Sequence, residues 1–338
     1  MRFCPTMKIL AVDTSCDDSC AAIIDTRSWK LLSESVYSHT APMKKFGGVV
    51  PEIASREHLK ALPLAVEDCL KKAHLKLTEI DWFAVTNRPG LIGALLVGVS
   101  YVKALAFATQ KPFSVFNHIE AHLFAPLLTT LEGNEAPTFP WTALVVSGGH
   151  TELFSVKNLL DYQWLGGTLD DAAGEAFDKV GKLLALPYPA GPLIDKLTRE
   201  KALPEDRKIP FPRAKVEGPQ FSFSGLKTAV ALRVQKSDLN NEREKLSIMA
   251  SAQEAIVDTL AEKTRAAASL APGSRVVVTG GVACNSRLRE KLNEAYFPSP
   301  KHCTDNAAMV ALLAGLYEKA GKLEPAPLST TAHSTGDF

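Results

Sequence analysis

The arrangement of apolar and polar positions divides the chain into alternating strands and helices. Lys8 to Thr14 is nearly all apolar and predicts a buried strand. A polar turn, Ser15-Cys16-Asp17-Asp18-Ser19, leads to a second strand from Cys20 to Ile24, and Leu31 to Ser38 completes a meander. After Pro51, apolar residues at Leu59, Leu62, Val66 and Leu70 follow the spacing of one buried helical face. Trp82 to Thr86 predicts a strand that ends at Arg88-Pro89-Gly90, and Leu91 to Ala108 a helix covering it. Phe113 to Phe116 predicts another strand, running directly into a helix that begins near His118.

Thr129 to Pro140 is polar, carries proline and reads as a linker, after which the opening pattern repeats. Thr142 to Val146 predicts a strand, Ser147-Gly148-Gly149-His150-Thr151 a turn, and Glu152 to Val156 the returning strand. Two strand–turn–strand units, each opening one half, suggest a duplicated architecture whose turns could hold phosphates with backbone N–H groups. Two ordinary hairpins are the alternative. The second half continues with a helix over Asp171 to Leu186 and the loop Pro187-Tyr188-Pro189-Ala190-Gly191-Pro192. A long helix is expected over Arg243 to Leu270, then a buried strand from Val276 to Thr279 closed by Gly280-Gly281. Helices from about Asn285 to Ala295 and from Thr304 to about Gly321 follow, and Pro325 to Phe338 reads as a frayed end.

Composition narrows the class. At 338 residues the chain exceeds what one core usually holds, so two domains are expected. With 46% apolar and 22% charged residues it is neither disordered, coiled-coil nor collagen-like. Thirty-eight Lys+Arg against thirty-seven Asp+Glu leave a net charge of +1, so a nucleic-acid partner would have to be held by a local patch. Lys196 to Lys215, with seven basic and three acidic residues, is the candidate, and solvated surface is the alternative. The six cysteines, at 4, 16, 20, 69, 284 and 303, form no CxxC pair, which points to a reducing compartment and a cytoplasmic protein. Arg2 and Lys8 are followed by no long apolar run, so no signal peptide is expected. Gly93, Gly98, Ser100 and Lys103 interrupt the most apolar window, making it a buried helix and not a membrane span.

The chemistry gathers at a few places. Asn117-His118-Ile119-Glu120-Ala121-His122 puts two imidazoles at i and i+4 on one helical face, a geometry suited to one metal. In the metallopeptidase pattern H-E-x-x-H the glutamate follows the first histidine. Here Ile119 stands there, and Glu120 is rotated about 160° from the histidine face. Asp305, at the start of a late helix, is the candidate third ligand; two packed or capping histidines are the alternative. The turns Val145-Val146-Ser147-Gly148-Gly149 and Val278-Thr279-Gly280-Gly281 allow close backbone approach to a ligand, but neither matches a Rossmann or P-loop pattern. Asp170 and Asp171 fit helix capping, whereas Asp178 lies too deep in its helix for that and is a candidate hydroxyl binder. Serines 15, 147, 222 and 224 occur without a G-x-S-x-G elbow, which argues against a serine hydrolase.

Eight ordered segments carry a family resemblance. They are Val12-Asp13-Thr14-Ser15-Cys16-Asp17-Asp18, Gly47-Gly48-Val49-Val50-Pro51-Glu52, His118-x-Glu120-x-His122, Val146-Ser147-Gly148-Gly149-His150-Thr151, Asp170 to Lys179, Phe221-Ser222-Phe223-Ser224-Gly225-Leu226-Lys227, Gly280-Gly281-Val282-Ala283-Cys284-Asn285 and Cys303-Thr304-Asp305-Asn306. Over about residues 7 to 325 the chain resembles the TsaD family of tRNA N6-adenosine threonylcarbamoyltransferases, in its bacterial branch.

The resemblance implies an α/β chain with two RNase H-like domains of the actin-like ATPase superfamily and a central ligand cleft. The domains would be 7–137 with 306–325, and 138–305 with a helical insertion, leaving 326–338 as a flexible tail. It implies one divalent metal, iron or zinc, on His118, His122 and Asp305. An adenine nucleotide or threonylcarbamoyl-AMP would be contacted by Val145, Val146, Ser147, Gly148, Gly149, Asp178, Gly191 and Asn285. The implied reaction moves the threonylcarbamoyl group to the exocyclic amine of the adenosine beside the anticodon, in tRNAs reading codons that start with adenine. A small paralogous subunit (TsaB-like) and an ATPase subunit (TsaE-like) are the implied partners, with no membrane. No nucleophilic side chain is assigned, so direct transfer without an acyl-enzyme is expected. Two departures stand out. Ala190 replaces the first glycine of a Gly-Gly-Pro loop and would be strained at positive φ, and the segment from Asn285 to Asp305 is short, leaving little room for a full strand. A metal-dependent peptidase and a non-enzymatic ATP-binding protein are the competing readings.

Overall fold

The computed structural model describes residues 7–271 and 273–336, so Cys4 and the last two residues of the expected tail lie outside the described residues. The chain divides into two compact units, Met1–Ala136 with Asp305–Phe338, and Pro137–Thr304. Asp305 therefore belongs to the first unit, one residue earlier than the expected return.

In the first unit, β1 (Lys8–Asp13), β2 (Asp18–Asp25) and β3 (Lys30–Ser38) form the expected antiparallel meander. A short α1 (Thr40–Met43) precedes α2 (Pro51–Lys72), β4 (Trp82–Arg88), α3 (Ile92–Thr109) and β5 (Phe113–Asn117). Then come α4 (His118–Phe124), α5 (Leu128–Leu131) and, returning from the far end of the chain, the helix Ala307–Lys319, designated α12. The sheet order is β3-β2-β1-β4-β5, with β4 parallel to both β1 and β5. Leu10 and Val12 pack with Leu62, Val66, Leu95 and Val99 of α2 and α3. Their alternates Ile9 and Ala11 point to the other face, where α12 lies against β1 and β2. Burial on both faces explains the unbroken apolar run of β1, each large side chain contributing about 1.5–3 kcal/mol.

Three expectations change here. The buried stripe of α2 is Ala54, His58, Leu62, Ala65, Val66 and Cys69, whereas Leu59 is 63% exposed. Small residues let the helix approach the sheet along that stripe and leave Leu59 off its edge. Helix α3 buries only one face, through Ala94, Leu95, Gly98, Val99, Val102 and Ala106, and exposes Ile92, Leu96 and Phe107. It alone among the described residues is long and apolar enough to cross a membrane. Within the expected flexible tail, residues 326–334 are docked. Ala326 N–H donates to Phe113 O, His333 N–H to Asn87 O and Gly90 N–H to Ser334 O, while Lys103 Nζ and Asn87 Nδ2 hold the Thr330 and Thr331 carbonyls. Polarity alone could not reveal this, because most of the partners are backbone groups remote in sequence.

The second unit repeats the plan. It contains β6 (Trp141–Val146), β7 (Thr151–Asn158), β8 (Asp161–Gly167), α6 (Ala173–Leu183), α7 (Ala190–Lys201) and α8 (Ser224–Val234). The buried α9 (Glu242–Ser269), β9 (Arg275–Thr279), α10 (Ser286–Lys291) and α11 (Pro300–Cys303) complete it. The sheet order β8-β7-β6-β9 keeps the antiparallel meander followed by a parallel neighbour. Where the first unit has β5, only a parallel bridge from Val277 to Tyr296 remains, the trimmed edge expected from the short segment. Strand β8 escapes the apolar pattern because it is a largely exposed edge ending in Gly166-Gly167.

Candidate metal centre

Strand β5 delivers the first histidine. Its last residue, Asn117, takes an extended conformation, and its side chain accepts from the N–H groups of Ile119 (2.8 Å) and Glu120 (3.3 Å). That cap starts α4 at His118 and fixes the direction of His122 one turn later. Asn306 repeats the device: its side chain accepts from Met309 N–H at 2.9 Å and starts α12, with Asp305 immediately ahead. Helix α12 packs against α4, so two capped helix starts bring the candidate ligands together within the first unit.

The ligand atoms of His118, His122 and Asp305 lie within 4.8 Å of one another. Asp305 Oδ1 is 3.0 Å from His122 Nε2 and 3.5 Å from His118 Nε2. Tetrahedral bonds of about 2.1 Å would separate donor atoms by about 3.4 Å, so these spacings fit one cation. Both histidines are buried and their rings meet edge to face at 4.6 Å, while Asp305 retains access to solvent. His122 Nδ1 is buried without a hydrogen-bond partner, leaving Nε2 toward Asp305 as that ring's polar contact. Two imidazoles and one carboxylate suit zinc or iron, and three protein ligands leave a coordination position open.

The other edge of His118 is held by β1. Its Nδ1 lies 3.0 Å from Asp13 Oδ2 and 3.0 Å from Ser15 Oγ, while Asp13 Oδ1 accepts Ser15 N–H at 3.0 Å. A carboxylate at Nδ1 favours a proton there and turns Nε2 to the Asp305 side, where it would serve as the ligand atom for a cation. Burial pushes His118 down, but the Asp13 and Asp305 carboxylates outweigh it and raise the imidazole to about 10. Burial lowers His122. Burial would raise Asp305, yet the charges and hydrogen bonds of the histidines hold it well below the usual carboxylate range. Asp13 had no signal in the sequence beyond membership of the first motif, and Ser15 entered only among the serines that lack a nucleophile elbow.

Glu120 points elsewhere and accepts a 2.8 Å hydrogen bond from Tyr317 Oη. It is tied to α12 and not placed beside the histidine pair.

The second unit holds the other candidates. The turn after β6 is closed by Ser147 N–H to His150 O at 2.8 Å and His150 N–H to Ser147 Oγ at 3.2 Å. Val145 and Val146 are buried strand residues, whereas Gly148 and Gly149 are exposed with open space around them. Two other glycines crowd this turn. A Cβ on Gly280, at φ +96°, would strike the Val146 carbonyl oxygen, and one on Gly174 at the start of α6 would meet Ser147 O. Both glycine turns and the α6 start therefore meet at one place.

Asp178 Oδ1 accepts Ala190 N–H at 2.7 Å, so this carboxylate serves the start of α7. Ala190 lies in that helix at negative φ, and the expected strain is absent; its methyl fills the space beside Gly181. Gly191 stands next, in ordinary contact range of Phe177. Asn285 is buried, accepts Leu288 N–H at 3.0 Å and donates to Gln253 Oε1 at 3.0 Å. Asp170 and Asp171 do not cap α6, whose cap residue is Ala172 without a side-chain bond. Asp170 instead accepts from Phe223 N–H and Ser222 Oγ, because the loop before α8 folds back onto it, and Asp171 pairs with Lys179 of α6.

A duplicated meander-plus-parallel frame of this order defines the actin-like ATPase fold class, and solved structures agree. Component A of (R)-2-hydroxyglutaryl-CoA dehydratase from Acidaminococcus fermentans aligns with TM-score 0.53 at 16% identity, over 94% of this chain and 100% of that one. Full-length HypF in its phosphate- and nucleotide-bound form aligns with TM-score 0.58 at 12% identity, over 93% of this chain and 47% of that one. At such identities the likeness concerns the fold alone.

Sequence similarity is more specific. The family profile described as TsaD, tRNA N6-adenosine threonylcarbamoyltransferase, matches residues 30–312. Enzymes of that name from Geotalea uraniireducens (47% identical, covering 92% of this chain and 91% of the relative) and Caldicellulosiruptor saccharolyticus (45%, 96% and 97%) align over most of their length. The chain belongs to the TsaD family.

Proposed function

We propose that this enzyme transfers the threonylcarbamoyl group of threonylcarbamoyl-AMP to the exocyclic amine of the adenosine beside the anticodon, in tRNAs reading codons that start with adenine. The convergence of His118, His122 and Asp305, backed by Asp13, in a chain of this family is the observation that carries the reading. In the reaction the amine nitrogen bonds to the carbamoyl carbon. The bond from that carbon to the phosphate oxygen breaks, AMP leaves with the electron pair, and the amine gives up a proton. The donor is already activated, so what remains is to position it and to stabilise charge on the acyl oxygen and phosphate.

One divalent ion, iron or zinc, would be held by His118, His122 and Asp305 and would polarise or anchor the donor. Asp13 keeps the His118 ring in the orientation this requires. Val145, Val146, Ser147, Gly148 and Gly149 would line the adenylate, the exposed Gly148 and Gly149 presenting backbone N–H groups, helped by the α6 start that Gly174 lets approach. Asp178, Gly191 and Asn285 would complete that pocket, with Asp178 and Asn285 also bonded to the loops that carry them. No side chain is asked to form an acyl-enzyme.

The peptidase alternative would need a base beside the histidine pair; the Glu120–Tyr317 hydrogen bond gives Glu120 a different role, and Asp13 is bonded to His118. We further propose that the enzyme works in the cytoplasm with a TsaB-like subunit and a TsaE-like ATPase. A groove of about 450 Å³ between α2 and α3, lined by Leu59, Leu62, Pro63, Leu96 and Val97, supports a docking face on the first unit.

The test incubates metal-loaded protein and both partner subunits with threonylcarbamoyl-AMP and unmodified tRNA, followed by nucleoside mass analysis. The expected product is threonylcarbamoyladenosine, formed in proportion to donor consumed. Its absence, with casein cleaved by the same sample, would transfer support to the peptidase reading.

A further inference from the structure

Two cysteines that the proposed reaction leaves unused meet in the second unit. Cys284 ends the turn Gly281–Cys284 after β9, and Cys303 ends α11. The turn that Cys284 ends packs against the helix that Cys303 ends. Both sulfurs also face the turn Pro298–Pro300: Cys303 Sγ lies 3.5 Å from Pro298 O and Cys284 Sγ 3.8 Å from Pro300 O. Arg289 binds the two segments together, donating from Nε to Ala283 O at 2.7 Å and from Nη2 to Pro298 O at 3.2 Å, with Cys303 Sγ 3.8 Å away. The pair is asymmetric, Cys284 being half-buried and Cys303 fully buried.

We propose that Cys284 and Cys303 form a reversible disulfide, a peroxide-responsive modification site in the second unit. The environment gives Cys284 the attacking role. The neighbouring Cys303 thiol and the Arg289 charge hold Cys284 below the ordinary thiol range, against the opposing effect of burial. Burial pushes Cys16, Cys20 and Cys69 up instead. A partly exposed, low-pKa thiol beside a second cysteine is the arrangement that senses oxidants.

With hydrogen peroxide as oxidant the step balances. The Cys284 thiolate attacks one peroxide oxygen, an S–O bond forms, the O–O bond breaks, and the departing hydroxide takes up a proton to become water. The Cys303 sulfur then attacks the resulting sulfenic acid; the S–S bond forms, the S–O bond breaks, and the Cys303 proton leaves with hydroxide as a second water. Two thiols lose two electrons in total, peroxide gains them, and a reducing dithiol reverses the change.

The experiment treats the full chain with a small molar excess of hydrogen peroxide, alkylates the remaining thiols and maps the unreduced tryptic peptides by mass. The expected result is a linked Cys284–Cys303 peptide pair that dithiothreitol releases and that Cys284→Ser abolishes. In Cys303→Ser, dimedone should capture Cys284 as a sulfenic acid. Recovery of Cys284 and Cys303 as alkylated thiols, while Cys16, Cys20 or Cys69 oxidises first, would overturn the proposal. So would linkage of Cys284 to any other cysteine. Cys284 is half-buried at a turn, so its serine variant keeps the wild-type comparison interpretable.

Discussion

Asp13 reaches His118 across 105 residues of chain, and no local pattern announces that contact. The i, i+4 histidines were legible because helix geometry alone places them on one face. Asp305 could be nominated as a carboxylate at the start of a late helix, and Asp13 not at all, because its partner is set by the sheet register that aligns β1 with β4 and β4 with β5. If Asp13 orients the ring, Asp13→Asn should weaken zinc affinity about 10–100-fold while the circular dichroism spectrum stays unchanged. Competition with a chromophoric chelator measures this, and an unaltered affinity would remove Asp13 from the site. Asp170 and Asp171 show the opposite failure. Their position near a helix start fitted capping, yet a loop some fifty residues later claims Asp170, and Lys179 of α6 claims Asp171.

At the scale of elements, periodicity identified most helices and the buried strands, and it failed where one face meets solvent. Strand β8 and helix α8 expose too much for the apolar pattern to mark them, and α2 buries a stripe of small residues beside the leucines that periodicity selects. Contacts between helices are equally hidden. Glu254 on α9 accepts from Arg287 Nε at 2.7 Å and Nη2 at 2.8 Å, and pairs with Lys291 Nζ at 2.7 Å, fastening α10. Burial opposes the charge on Glu254, but Arg287 and Lys291 outweigh it and lower its pKa from 4.5 to about 2. A lowered carboxylate stabilises the fold above its unfolded value and loses that contribution as pH falls from 4.5 toward 2. Glu254→Gln should therefore cost about 2 kcal/mol at neutral pH, with the gap to wild type closing across that acid window. Urea titrations at several pH values measure it, and a pH-independent gap would refute the ion-pair explanation.

Over the whole molecule, the repeated opening of each half was readable because the strand–turn–strand unit is local. The docked chain end was not, since its partners at Asn87, Gly90, Lys103 and Phe113 are remote in sequence. Charge is another whole-molecule property. Within the basic stretch Arg213 is engaged by Asp258 and Arg207 approaches Glu254, while Lys196, Lys201, Lys208 and Lys215 are exposed. If these lysines meet phosphate, reversing Lys196, Lys201 and Lys208 to glutamate should weaken tRNA binding. The logarithmic salt slope should flatten by about 0.7–0.9 for each phosphate no longer neutralised. Equal affinity and equal salt slope would assign the stretch to solvated surface.

The central claim is that two capped helix starts build one cation site, and metal content measured by plasma mass spectrometry tests it most directly. The wild-type chain, reconstituted with zinc or iron and desalted, should retain one ion, and His118→Ala, His122→Ala and Asp305→Ala should each lose most of it while remaining folded. A full complement of metal in all three variants would contradict the account.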